Sequence, residues 1–142
     1  MRLYYLGKRL NEKDIVSGGD RYIFEFTDYL AKTADLIFLD ISGFNWRADF
    51  SVNIKSIFVS LRANLWAMGK LFNIDGGDII LINSYYKQYF FIFIWIARYI
   101  KGCKPVVGVN AFYYTSRKSN FLNCVDRILL WMMLKPALLV VS

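Results

Sequence analysis

The chain has 142 residues, 56% of them hydrophobic and 18% aromatic, which is one domain's worth of sequence and far too apolar for a disordered tail. It carries 18 Lys and Arg against 11 Asp and Glu and no histidine, so Ser-His-Asp triads, Cys-His nucleophiles and histidine metal sites are excluded. The formal charge of +7 is unevenly spread, because residues 1–50 hold seven basic and eight acidic side chains and residues 51–142 hold eleven and three.

In chain order, Met1 to Lys8 has an apolar run too short for a signal-peptide core, so the chain is expected to start in the cytoplasm. A first strand is expected over Arg2–Leu6, followed by a long loop from Gly7 to Gly19. A helix follows over about Asp20–Lys32 with Ile23, Phe26 and Leu30 inward. The second strand covers Asp35–Asp40. The second helix, about Phe50–Leu71, repeats Ile54, Ile57, Phe58, Leu61, Leu65 and Met68 at three and four residues, which makes one apolar stripe for the core. Lys55, Arg62 and Lys70 fall on another, solvated face. After a third strand at Asp78–Asn83, a third helix is expected from an N-cap at Ser84 to Lys101, with Gly102 as the C′ residue. A fourth strand at Lys104–Asn110, a fourth helix at Asn120–Leu134 ended by Pro136, and a fifth strand at Leu138–Ser142 complete the pattern.

Near-continuous apolar strands alternating with helices are the mark of a parallel sheet covered on both faces. Right-handed crossovers then favour an α/β fold, a Rossmann-like doubly wound parallel sheet of about five strands. The last strand ends at its carboxyl end, where ligand loops of such sheets begin, so the domain reads as part of something larger.

Beyond Asp78 the only acid is Asp126, against eight basic residues, which suggests an anionic partner. Between those charges lie two apolar runs, residues 89–97 and 128–134, each shorter than the ~20 residues of a spanning helix. Two readings stand open for each: burial between layers, or contact with a membrane surface. In the second, Lys87, Arg98, Lys101, Arg117, Lys118, Arg127 and Lys135 form the anion-facing surface. Nucleic acid is disfavoured, since the aromatics lie in continuous runs instead of alternating with basic residues. Cys103 and Cys124 form no C-x-x-C and are expected to be two buried free thiols, with no metal site.

The loops after Leu6, Asp40, Asn83 and Asn110 are the candidate ligand positions. The first ends in Ser17-Gly18-Gly19-Asp20 as its helix begins. The two glycines let backbone amides approach an anion, yet Ser17 and Asp20 also have capping-box spacing, which needs no ligand. No G-x-G-x-x-G follows Leu6, and Gly7-Lys8-Arg9 is not a P-loop, so dehydrogenase and P-loop NTPase readings are disfavoured.

Three blocks carry a family resemblance: Ser17-Gly18-Gly19-Asp20 leading into the first helix, Asp78-Ile79-Ile80-Leu81-Ile82-Asn83-Ser84, and Lys104-Pro105-Val106-Val107-Gly108-Val109-Asn110. In this order and spacing the chain resembles the N-terminal domain of group 1 (family 4-like) GT-B glycosyltransferases. The resemblance implies one half of a GT-B fold, an acceptor-binding domain facing a C-terminal partner that holds most nucleotide-sugar contacts and the E-x7-E motif. It maps the loop against the donor diphosphate onto Ser17, Gly18, Gly19 and Asp20. Asn83 and Asn110 stand where family members often carry histidine, and an amide can orient a substrate but does not titrate near neutrality. Asn83, Ser84 and Asn110 are therefore expected to position substrate, with no catalytic residue assigned.

The resulting expectation is a half-enzyme that transfers sugar from a nucleotide-sugar to a lipid-linked or polysaccharide acceptor. It would be inactive without a C-terminal donor half on the same or a separate chain, would use no cofactor beyond the donor substrate, and would sit in the cytoplasm, peripheral to the inner membrane face. The alternative is a non-catalytic Rossmann-like binding or scaffold module that pairs with another subunit or the membrane surface.

Overall fold

The computed structural model describes residues 1–44, 54–82, 90–108, 124, 127–128, 131–132 and 134–141. Five strands, β1 (Leu3–Gly7), β2 (Leu36–Asp40), β3 (Ile79–Ile82), β4 (Lys104–Gly108) and β5 (Leu139–Val141), form one sheet in the order β2-β1-β3-β4-β5. Every pairing is parallel. Three helices connect them: α1 (Gly18–Thr33), α2 (Ile54–Lys70) and α3 (Phe91–Tyr99). A fourth helical segment includes residues 124, 127–128, 131–132 and 134. This is the expected Rossmann-like α/β fold, with strand ends shifted by one or two residues.

The chain runs outward from β1 to β2, then returns past β1 to β3 and continues to β5. Because a right-handed crossover places its helix on the face set by the direction of travel, the reversal moves the helices from one face to the other. Burial follows that rule. Tyr4, Leu6, Ile80, Ile82 and Val107 point to one face and form a single apolar cluster with Ala63, Ala67, Phe93, Ile94 and Ala97 of α2 and α3. Their neighbours in sequence, Tyr5 and Leu81, join Phe38 on the opposite face around Ile23 of α1. A strand residue and the next therefore serve different layers, as pleating requires.

Within α1 the fully buried residues are Ile23 and Thr27, whereas Phe26 is half-buried and stacks on the exposed Tyr22. The expected inward position of Phe26 is thus corrected to Thr27, four residues after Ile23 on the same stripe. Its hydroxyl donates to the Ile23 carbonyl at 2.8 Å, which lets a polar side chain lie in the core.

The larger correction concerns α2. Its sheet-facing residues are Ala63, Asn64 and Ala67, all nearly inaccessible, whereas Phe58, Leu61 and Leu65 are 68%, 47% and 59% exposed. Of the expected apolar stripe, Phe58, Leu61 and Leu65 therefore point outward and Met68 is half-buried, while the side chains of Ile54 and Ile57 lie outside the described residues. Small side chains on the inner face let α2 approach α3 closely, and Asn64 uses that approach: its side-chain oxygen accepts the Phe93 N–H at 3.2 Å. Phe93 lies in the first turn of α3, whose N-cap residue, Phe90, offers no side-chain acceptor. A neighbouring helix thus supplies the missing cap.

The helix α3 accordingly starts at Phe91 instead of the expected Ser84, which lies outside the described residues. The first of the two ambiguous apolar runs is core, since Phe90, Phe93, Ile94 and Ala97 are fully buried. The helix ends at Tyr99 with Ile100 as its C-cap, short of the expected Lys101, so Gly102 lies two residues past the cap instead of at C′, and there it adopts the left-handed φ of +71°.

The amino ends of three strands are tied by Asp78. Its carboxylate accepts the backbone N–H of Arg2 at 2.8 Å and of Asp75 at 3.1 Å, while its carbonyl accepts the Lys104 N–H at 2.8 Å. Arg2 also pairs with Asp75 across an exposed 2.6 Å contact.

The two thiols differ. Cys103 is fully buried, and burial, with the nearby Asp78 charge, pushes its thiol above the ordinary value. Cys124 is exposed, which corrects the expectation that both are buried. It lies on a helical segment whose Ile128 and Trp131 are also more than half exposed, while Leu134 packs against the core.

Candidate functional site

Reversal of strand order between β1 and β3 creates the crevice at which doubly wound sheets bind ligands. The register sets Leu6, Ile82 and Val107 abreast, so the chain leaves the carboxyl ends of β1, β3 and β4 at one level. Gly7 ends β1, Asn83 follows Ile82 directly, and Asn110 comes two residues after Gly108. Asn83, Ser84 and Asn110 lie outside the described residues, as do Lys87, Arg117 and Lys118.

The loop from β1 to α1 is held by its own polar groups. Gly7 accepts the Ile41 N–H through its carbonyl at 3.2 Å, which couples the ends of β1 and β2. A Cβ at Gly7 would lie 2.5 Å from the Tyr5 ring, so packing alone demands glycine there. The Arg9 N–H donates to Asp40 at 3.1 Å, and its guanidinium lies 5.1 Å from the centre of the Phe38 ring. Leu10 is buried against the α1 layer, and Asn11 donates its N–H to Asp14 at 3.1 Å to close a single 3-10 turn.

At the start of α1 the capping box is formed. Ser17 Oγ accepts the Asp20 N–H at 3.2 Å, and Asp20 accepts the Ser17 N–H at 3.0 Å and its hydroxyl at 2.7 Å. A carboxylate thus already occupies part of the electropositive helix end. Two amides remain, those of Gly18 and Gly19, which have no acceptor among the described residues. A Cβ built at Gly18 meets nothing within 4 Å. The chain's own packing therefore does not require glycine at position 18, in contrast to position 7. The arrangement can offer two backbone donors to an anion, with Lys8, Arg9 and Arg21 nearby in sequence.

The basic residues expected to face an anion are not equivalent. Arg98 reaches back toward the Cys103 carbonyl at 3.5 Å, and Lys101 is half-buried. Lys135 lies 4.7 Å from the centre of the Trp131 ring and 5.9 Å from that of Trp95, whose indole N–H donates to the Met132 carbonyl. Arg127 is exposed. Sequence reasoning missed Asn64 and the outward stripe of α2. Ala63 and Ala67, four residues apart on the opposite side from Leu61 and Leu65, were the available signal for the latter.

Among the described residues no helix is long and apolar enough to cross a membrane. Compared with known proteins, the chain matches no family model and no curated sequence.

Proposed function

We propose that the chain is the acceptor-side Rossmann-like half of a sugar-transferring enzyme. It works with a C-terminal donor-binding half to move a sugar from a nucleotide-sugar to a lipid-linked or polysaccharide acceptor. The observation that carries this reading is the pair of open amides at Gly18 and Gly19, at the start of the helix that follows β1, the strand beside the topological switch point. Such amides suit a diphosphate, whose charge they stabilise as the leaving group departs. Asn83, Ser84 and Asn110, which follow neighbouring strands, orient the acceptor. None of these groups titrates near neutrality, so the protein's contribution is positioning and charge stabilisation.

A second reading is favoured by the closed Ser17–Asp20 box: a non-catalytic binding module whose helix end is satisfied internally. The two readings separate at Gly18. Membranes of the source cells, depleted of the native chain, supply acceptors and any donor-binding half, and incorporation of radiolabelled sugar from nucleotide-sugars is measured after adding back purified chain. Incorporation is expected to depend on the chain, to survive Gly18→Ala, whose Cβ meets nothing within 4 Å, and to fall at least about tenfold with Gly18→Trp, whose ring would block an anion's approach to the amides. The purified chain alone is expected to give none. Equal incorporation with and without the chain, or with Gly18→Trp, overturns the proposal in favour of the module.

A further inference from the structure

The two helical layers differ sharply in charge. On one face of the sheet, α1 carries Asp20, Glu25 and Asp28 with Arg21 and Lys32, partly joined in Arg21–Glu25 and Lys32–Asp28 pairs. On the other, α2 and α3 contain Lys55, Arg62, Lys70 and Arg98 and no acidic residue. Lys101 and Lys135 extend the same layer, where Asp126 is the one acid in the sequence of the fourth helical segment. The excess of positive charge along α2 and α3 favours an anionic surface opposite them.

The same layer exposes its apolar stripe. Phe58, Leu61 and Leu65 fall within about 60° of one another around α2, and Phe72, 87% exposed, continues the series in the turn that follows. The exposed series spans about 20 Å. Arg62 sits beside it, so the helix has an apolar strip with a basic flank, although its inner face packs on the sheet through small residues. Farther along the layer, Tyr99, Ile100, Ile128 and Trp131 are each more than half exposed, and Lys135 lies against the Trp131 ring. Indole rings paired with lysine amines suit the headgroup level of a bilayer, where an apolar body and a charged tip are both satisfied.

We infer that the α2–α3 layer is a docking face for anionic lipid bilayers, with Phe58, Leu61, Leu65 and Phe72 inserted at the acyl boundary and the basic residues among the headgroups. Charge selects this occupant. A second copy of the chain would bring an equally basic layer against the first, and a neutral apolar partner would gain nothing from the positive charge of α2 and α3. The inference rests on the stripe and the charge of this layer and not on sugar transfer, so either proposal can fail alone.

The test is flotation of the full chain with phosphatidylcholine vesicles, with and without phosphatidylglycerol, at low and high salt. The chain is expected to float with the anionic vesicles, weakly or not at all with the neutral ones, and less at high salt. Leu61→Ser with Leu65→Ser is expected to lower partitioning at least about tenfold, and Arg62→Glu to lower it on anionic vesicles. Both variants should melt within a few degrees of the wild type, because these side chains are about half exposed or more and stand outside the core cluster. Absence of flotation, equal flotation of the double variant, or equal affinity for neutral vesicles overturns the inference. So does light scattering that shows a dimer which the double variant dissolves.

Discussion

Replacing Asp78 with Asn is expected to lower the stability of the chain by about 3 kcal/mol near neutral pH, seen as a fall of about 10 °C in Tm. Asp78 is only 3% exposed, and its carboxylate holds the backbone of Arg2 and Asp75 while its own backbone reaches Lys104. Hydrogen bonds from two backbone donors to one buried charge are worth more than neutral ones, and the amide of Asn would turn an N–H toward a donor. Burial works against the charged form, yet the N–H groups of Arg2 and Asp75, helped by the Arg2 guanidinium and the chain's amino terminus, outweigh it and hold the carboxyl below the ordinary aspartate value. A carboxyl lowered in the folded state stabilises the fold fully above its unfolded pKa of about 3.9, and that stability drains as the pH falls through the folded value. Urea unfolding across the acid range should therefore show the gap between wild type and Asp78→Asn closing below about pH 4. A gap that stays constant with pH would mean that Asp78 acts through packing and not through its charge.

The second large effect is expected at Asn64. Asn64→Leu keeps the branched shape of the side chain, though not its size, and removes the acceptor of the Phe93 N–H, leaving the first turn of α3 without that cap in a site that is 2% exposed. The expected loss is about 2 kcal/mol, from an unpaired buried donor and a lost helix cap. Hydrogen exchange offers a local readout: amides in the first turn of α3 should lose protection beyond the global change, while those of α1 follow global stability alone. Uniform loss of protection across both helices would assign Asn64 a packing role only.

These two residues also mark the limit of what one sequence discloses. The strands were legible because a parallel strand covered on both faces reads as a nearly unbroken apolar run, as in Ile79-Ile80-Leu81-Ile82. Handedness then restricted the order of strands, and β2-β1-β3-β4-β5 is the result. The start of α1 was legible too, since a capping box is a local device, and Ser17 and Asp20 form it. The facing of α2 was not. Periodicity reports that Phe58, Leu61 and Leu65 share a side, but the choice of side depends on how closely α2 must approach α3, which favours Ala63 and Ala67 inward. The cap of α3 was not legible for the same reason: the expected N-cap, Ser84, lies outside the described residues, and the helix that begins at Phe91 takes an acceptor from a residue 29 positions away in sequence. At the Ser17–Asp20 corner the capping box was readable to the residue. The division between Gly7, fixed by the Tyr5 ring, and Gly18, open to solvent, needed the fold.

The contest over Gly18 and Gly19 is the centre of the functional account, because their amides either receive an anion or simply begin a capped helix. A nitrogen–proton correlation spectrum of the labelled chain, recorded while a nucleoside diphosphate is added, reads those amides individually. The Gly18 and Gly19 resonances are expected to move together and saturably, while Gly77 and Gly102, in the turns before β3 and β4, stay in place. Resonances of Gly18 and Gly19 that remain unmoved at millimolar nucleoside diphosphate would contradict the proposed function and leave the helix end to its capping box.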